Sequence, residues 1–307
     1  MKYRLSRYTL PLLASFPLSA LADVPRVAVD IPPIHSLVAK VMGGLGSPDL
    51  FIQPGASPHG YSLRPSEAKV LNDADVVVWV SNDLTPWLSA PIANLANDAE
   101  HLELMGVSGI NTVAYREGVT FDLGDHDHDH DHHHDGQDPH GWLDPGNARR
   151  WLDSIAQQLS EIDPDNAAHY RANAAQGQQE LEALEQDLKE RLANSEETRF
   201  IVFHDAYQYF EKALGVTAAG AISIGDASSP SPRRIETIQQ LVDAEGVTCV
   251  FSEPQFNPQI VDTVFGDTDV YIGVMDPLGV GLTLGAGLYD ALLNQMADEI
   301  QHCTDTM

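Results

Sequence analysis

From residue 24 to residue 110 the chain alternates short apolar runs with stretches whose apolar positions recur every three or four residues. RVAVDI (26–31), LFIQPG (50–55) and VVVWVS (76–81) predict strands. The last of these is predicted to be buried on both faces, because every position but the final serine is apolar or aromatic. SLVAKVMGGLG (36–46) predicts a helix stopped by glycines, and RPSEAKVLNDAD (64–75) a helix opened by Pro65 and Ser66. PWLSAPIANLAN (86–97) predicts a helix interrupted at Pro91. Strands alternating with helices point to parallel βαβ units.

The same alternation returns in the second half. RFIVFH (199–204), VTAAGAISI (216–224), VTCVFSEP (247–254) and VYIGVMDPLG (270–279) predict strands. DAYQYFEKALG (205–215), SPRRIETIQQLVDAEG (231–246), PQIVDTVFG (258–266) and GLYDALLNQMADEIQHC (287–303) predict helices. Between the halves, residues 163–194 carry no strand signal. Leu181, Leu184, Leu188 and Leu192 mark one helical face after an Asp163-Pro164-Asp165 start. As one helix from Asn166 to Ala193 it would run about 40 Å at the usual rise per residue. Two helices broken at Gly177 are the alternative. The predicted architecture is therefore α/β, with two lobes of mainly parallel sheets: 23–162, a linking helix 163–194, and 195–307. Ligands in open α/β folds bind at the carboxyl ends of strands, which places a site in the cleft between lobes.

The N-terminus changes where such a fold would reside. Lys2, Arg4 and Arg7 precede the apolar stretch LPLLASFPLSALA, and Ala20-Leu21-Ala22 fits a small-x-small cleavage rule. Residues 1–22 are thus a predicted signal peptide, with Asp23 as the mature start and an uncleaved anchor as the alternative. No later segment is apolar for long enough to span a bilayer, so an exported soluble protein is expected. The net charge of −28 (17 basic, 45 acidic residues) repels nucleic acid and anionic membranes and favours cations, though much of it serves solubility. The two cysteines, Cys249 and Cys303, form an even set in an exported chain. That favours a structural bridge over two free thiols.

Candidate chemistry lies in the thirteen histidines. His59 follows LFIQPG, His140 precedes a helix start in DPHGWLDP, and His204 ends RFIVFH. They come from distant segments, so only folding could join them. Imidazole suits zinc, copper and nickel, and three of them leave one position of a tetrahedral zinc for water or a carboxylate. Asp276, at a strand end in VMDPLG, is a candidate for that position. His35, His101, His169 and His302 share no such context, and Tyr61, Trp142, Tyr207 and Tyr209 neighbour the candidates as shields or as ordinary packing.

The segments PHGYSLRPSEAKVL, DPHGWLDP, FHDAYQYF, VFSEPQFNP and MDPLG, in this order, resemble the ZnuA family of periplasmic zinc-binding proteins. These are the solute-binding components of bacterial high-affinity zinc ABC importers, within a wider group that includes manganese-binding and adhesin-like lipoproteins. The resemblance spans almost the whole mature chain. It implies two α/β lobes joined by one long helix, with Zn(II) as transported ligand held by His59, His140 and His204. In manganese relatives the third position is typically a glutamate; His204 matches the zinc branch. Two features depart from a simple transfer. Pro58 stands where some zinc members carry a glutamate beside the first histidine. Asp276 aligns with a carboxylate that binds metal in the manganese branch. The Cys249–Cys303 pair resembles the disulfide of the group.

The resemblance further implies an ABC permease and its ATPase as partners, leaves room for a periplasmic metallochaperone, and fits a monomer that is not an enzyme and binds no nucleic acid. The run DHDHDHDHHHD (125–135) cannot form a packed core, and a flexible tract selects metals weakly. His126, His128, His130, His132, His133 and His134 are expected to form an accessory low-affinity collector, with a tolerated insertion as the alternative. A secreted zinc hydrolase, with Asp276 or Glu253 as base, and a metal-binding adhesin or buffer are the rival functions.

Overall fold

Val27–Val29 (β1), Asp49–Leu50 (β2), Val76–Trp79 (β3) and Glu100–Glu103 (β4) form one parallel sheet in the order β2-β1-β3-β4. Phe200–His204 (β5), Ala218–Ser223 (β6), Cys249–Ser252 (β7) and Tyr271–Val274 (β8) form a second, in the equivalent order β6-β5-β7-β8. The computed structural model describes residues 24–116, 118, 121, 136–223, 230–266 and 268–306. The predicted signal segment 1–22 and the His-rich run 125–135 lie outside the described residues.

Helices fall where the periodicity places them, with instructive shifts at the ends. Pro32–Met42 (α1) begins four residues before the predicted start at Ser36. Its Pro32-Pro33 opening is tolerated because first-turn amides have no partner within the helix. Gly43 closes it at φ 56°, with its amide on the Ala39 carbonyl. Pro65–Asp73 (α2) follows the sequence closely. Ser89–Leu95 (α3) is not interrupted at Pro91, since Pro91 is its third residue and no donor is missed there. Strand β2 is shorter than the predicted 50–55. Beyond Leu50 the Phe51 and Ile52 amides still bond the Val29 and Asp30 carbonyls (2.8 and 3.1 Å), and Pro54 supplies no donor. Strand β4 was not anticipated. Its charged EHLE sequence suits an edge strand, which carries no apolar run.

Pro145–Ile162 (α4) starts on an Asp144 cap, whose Oδ1 accepts the Gly146 amide at 2.7 Å. Ala167–Leu192 (α5), preceded by a short 3-10 turn, is one unbroken helix of 26 residues. Gly177 does not break it. A Cβ there would stand 2.9 Å from Leu152 Cδ1, so the glycine serves the close approach of α4. Tyr170, Ala174, Gly177, Leu181, Leu188 and Leu192 make the buried stripe. Helix α5 packs on α1 and α4 of the first lobe and on Gln208–Leu214 (α6) and Leu288–Asp305 (α9) of the second. Pro232–Glu245 (α7) and Gln259–Phe265 (α8) complete the second lobe.

One apolar core runs from the first lobe through α5 to one face of β5 and to α9. The alternation of β5 sends Phe200 and Val202 into this core, and Ile201 and Phe203 into a smaller one under α7 and α8. Cys249 of β7 and Cys303 of α9 are disulfide-bonded. Polar ties also cross between lobes. Trp142 Nε1 donates to the Pro277 carbonyl (2.8 Å), Tyr289 Oη to the Trp142 carbonyl (2.6 Å), and Lys40 Nζ to both Glu180 and Asp290 (3.0 Å each). No helix among the described residues is long and apolar enough to cross a membrane.

Candidate metal centre

Each sheet has a switch point where the chain leaves its first strand to build outward on both sides: between β1 and β3, and between β5 and β7. Parallel sheets open a crevice there, beyond the carboxyl ends of the strands. In the first lobe Asp30 closes it. Its carboxylate accepts the Ile31 amide (2.9 Å) and the Val80 amide (2.8 Å), and burial pushes its pKa up to about 7. In the second lobe the crevice holds His204, the last residue of β5, and Glu253, the first residue after β7.

His204 is only 5% exposed, and its Nδ1 lies 2.7 Å from both Glu253 carboxylate oxygens; its backbone amide also donates to Glu253 (3.2 Å). His140 comes from the first lobe and is 4% exposed. The bridge Ala114–Gln137 and the Asp138 amide on the Val113 carbonyl (2.9 Å) lead the chain into it. Asp138 Oδ1 then takes both the His140 amide (2.9 Å) and His140 Nδ1 (2.7 Å). Burial pushes the Asp138 carboxyl up to about 7, opposed by the His140 amide, by the Arg116 guanidinium and by the neighbouring His204 and His59 rings. Tyr209 Oη, from the second lobe, donates to the Asp138 carbonyl at 2.8 Å. With Nδ1 of both rings on a carboxylate, the lone pair of each imidazole sits on Nε2.

His59 stands on the loop between β2 and α2 and is half-buried. Trp87 Nε1 pins that loop through the Pro58 carbonyl (2.7 Å), and Tyr61 packs on the Trp87 ring and donates to Glu67 (2.8 Å). The ring centroids are 5.5 Å apart for His59–His140 and 5.3 Å for His140–His204. One nitrogen of each of His59, His140 and His204 lies within 4.8 Å of the other two. This trio is the one such group of three or more potential ligands among the described residues. The cavity in front of it, lined also by Trp142, Glu253, Gln255 and Phe256, measures about 10 Å³. That is about the room of a single water or ion.

Asp276 stands outside the trio. Its Oδ1 accepts the Leu278 amide (2.9 Å) and Gln255 Nε2 (2.7 Å), and its Oδ2 the Val280 amide. Pro58 lines the cavity with no carboxylate. His35, His101, His169 and His302 lie apart on α1, β4, α5 and α9. His101 Nε2 bonds the Ala96 carbonyl at 2.8 Å, for example. Of the aromatic neighbours, Trp142 reaches the cavity, while Tyr207 is spent on the Met275 carbonyl (2.9 Å). The six histidines of the run 125–135 lie outside the described residues. Asp138 and the role of Glu253 behind His204 were missed in the sequence. A carboxylate two residues before His140, and one ending the apolar run VTCVFSEP, were the available signals.

Comparison with known proteins extends the match beyond the site. The chain is 41% identical over 310 residues, covering 95% of both chains, to the high-affinity zinc uptake system protein ZnuA of Paracoccus denitrificans (strain Pd 1222). It is 39% identical over 318 residues, again covering 95% of each, to the protein of that name from Brucella abortus (strain 2308). A solved structure titled as a crystal structure of ZnuA superposes with a TM-score of 0.77 at 24% identity, over 92% of this chain and 100% of that one; at that identity it speaks for the fold. Residues 27–303 match the model of the family described as the periplasmic zinc-uptake complex component A, and on these matches the chain belongs to the ZnuA family.

Proposed function

We propose that this protein captures Zn(II) in the interlobe cleft through His59, His140 and His204 and hands it to an ABC permease driven by its ATPase. The observation that carries this is the convergence of three imidazoles from three segments on one ion-sized cavity. Two further features support it. Three neutral nitrogen ligands leave the ion's double charge uncompensated, and Asp138 and Glu253 sit directly behind two of them. Carboxylates in that place orient the rings and raise their basicity. The donor set is all nitrogen, which suits zinc better than manganese or magnesium. Copper binds such nitrogen sites more tightly still, so selection for zinc rests on geometry and supply as well.

The names of the relatives, high-affinity zinc uptake proteins, agree with this role. The protein works as a periplasmic monomer after removal of residues 1–22, and a metallochaperone can serve it as donor. It is a carrier and not an enzyme. A hydrolase needs a base beside the metal-bound water; Glu253 is engaged by His204, and Asp276 by backbone amides and Gln255. The run 125–135 acts as an accessory collector through His126, His128, His130, His132, His133 and His134. Zinc titration of metal-free mature protein under chelator competition tests the proposal. One tight site, lost in His59→Ala and in His204→Ala, is expected. Wild-type affinity in the double variant would sink it.

A further inference from the structure

Gln255 lies three residues beyond β7 and lines the cavity in front of the three imidazoles. Its amide is oriented from the far side. Both Asp276 oxygens already accept backbone amides, from Leu278 and from Val280. The part of Gln255 that lies 2.7 Å from Asp276 Oδ1 is therefore its NH₂ group. Turning the amide over would set its carbonyl against a carboxylate. Oε1 thus faces away from Asp276, and it is buried with no hydrogen-bond partner in the protein. A buried carbonyl in that state loses its water without replacement, so it calls for a donor.

The donor is available if the three-histidine reading above holds, on which this inference rests. Three imidazoles fill three positions of a tetrahedral zinc. The fourth is left to the cavity whose wall Gln255 helps to form. We propose that Gln255 is a positioning residue for bound zinc: its Oε1 accepts a hydrogen bond from a water in the fourth coordination position. Asp276 acts through Gln255 and is not itself a ligand. The chemistry suits a carrier. An amide carbonyl holds a metal-bound water but takes up no proton from it. The water is kept as a ligand and is not converted into a hydroxide nucleophile, as a carboxylate base in that place would do.

The test uses mature protein with zinc under chelator competition, and cobalt(II) as a spectroscopic stand-in for zinc. Gln255→Leu keeps the bulk and removes the acceptor. It should raise the zinc Kd about tenfold, the low end for residues that support metal ligands, and alter the visible bands of bound cobalt(II). Asp276→Asn should weaken zinc binding alone and add nothing in the Gln255→Leu background. Wild-type zinc affinity and cobalt spectrum in Gln255→Leu, or additive losses in the double variant, would overturn the inference. If Gln255→Leu fails to fold, a crystal structure of the zinc-loaded wild type decides. A water on zinc within hydrogen-bond distance of Oε1 supports the assignment, and an Asp276 oxygen on zinc refutes it. Failure of the wider proposal is separable, because His59→Ala and His204→Ala would then retain tight binding.

Discussion

Arg116 joins the lobes through two largely buried carboxylates, and its removal should cost several kcal/mol of stability. The guanidinium bonds both oxygens of Asp205 through Nε (3.0 and 3.1 Å) and both oxygens of Glu211 through Nη1 and Nη2 (2.8 Å each). It also lies 3.6 Å above the Phe121 ring. The three charged side chains are 17%, 9% and 5% exposed. In Arg116→Met two largely buried carboxylates lose the cation that bonds them both, and Asp205 keeps only the nearby charge of Arg234. Removing one partner of a buried ion pair costs about 3–5 kcal/mol, which lowers the melting temperature of a chain this size by on the order of 5–10 °C. The pH dependence identifies the cause. Burial raises the Glu211 pKa, and Arg116 opposes that rise; without Arg116 it should rise further. A carboxyl whose folded pKa lies above its unfolded value favours the fold at low pH and loses that contribution as pH rises through the folded pKa. The deficit of the variant relative to wild type should therefore be largest at pH 7–8 and shrink toward pH 5. Differential scanning calorimetry of metal-free protein across that range measures it. A drop below 2 °C at pH 7.5, or a deficit independent of pH, would refute the reasoning.

Glu253→Gln should weaken zinc binding about 10–100-fold, read by chelator competition, while the metal-free protein stays folded; unchanged affinity would mean that Glu253 does not tune His204. Reduction of the Cys249–Cys303 bridge, which spans a sequence separation of 54, should destabilise the protein by about 4 kcal/mol from loop entropy, measured by denaturant unfolding with and without reductant. Zinc affinity should fall as pH drops through the imidazole range, because each ligand nitrogen must be unprotonated; a flat profile between pH 7.5 and 5.5 would exclude histidine ligation. Deleting residues 125–135 should leave one tight site and remove weak ones, as counted by calorimetric titration. Loss of the tight site would move the function into the deleted run.

Much of the fold was legible in the chain because strand and helix periods differ. Buried parallel strands such as VVVWVS announce themselves by unbroken apolar runs, and the leucine spacing after residue 180 marks one face of a helix. Where local rules compete with tertiary packing, the sequence was ambiguous. Gly177 reads equally as a break or as a contact, and only the proximity of Leu152 decides for the contact. Strand β4 was invisible because an edge strand needs no apolar alternation, only a neighbour offering its backbone. His59, His140 and His204 could be singled out by their places where a strand gives way to a loop or a helix is about to start, and by family resemblance, since each place is local. Their convergence within 4.8 Å is not local. It depends on α5 holding two separate sheets at a fixed spacing and on the Trp142, Tyr209 and Arg116 ties between them. Asp138 and Glu253 mark the same division. In the sequence they are two acidic residues among 45; folding buries them with their oxygens on His140 and His204. The pattern along the chain determined which elements form, because propensity and period act over a few residues. The partners of each buried charge, and with them the site, were decided by contacts between residues far apart in sequence.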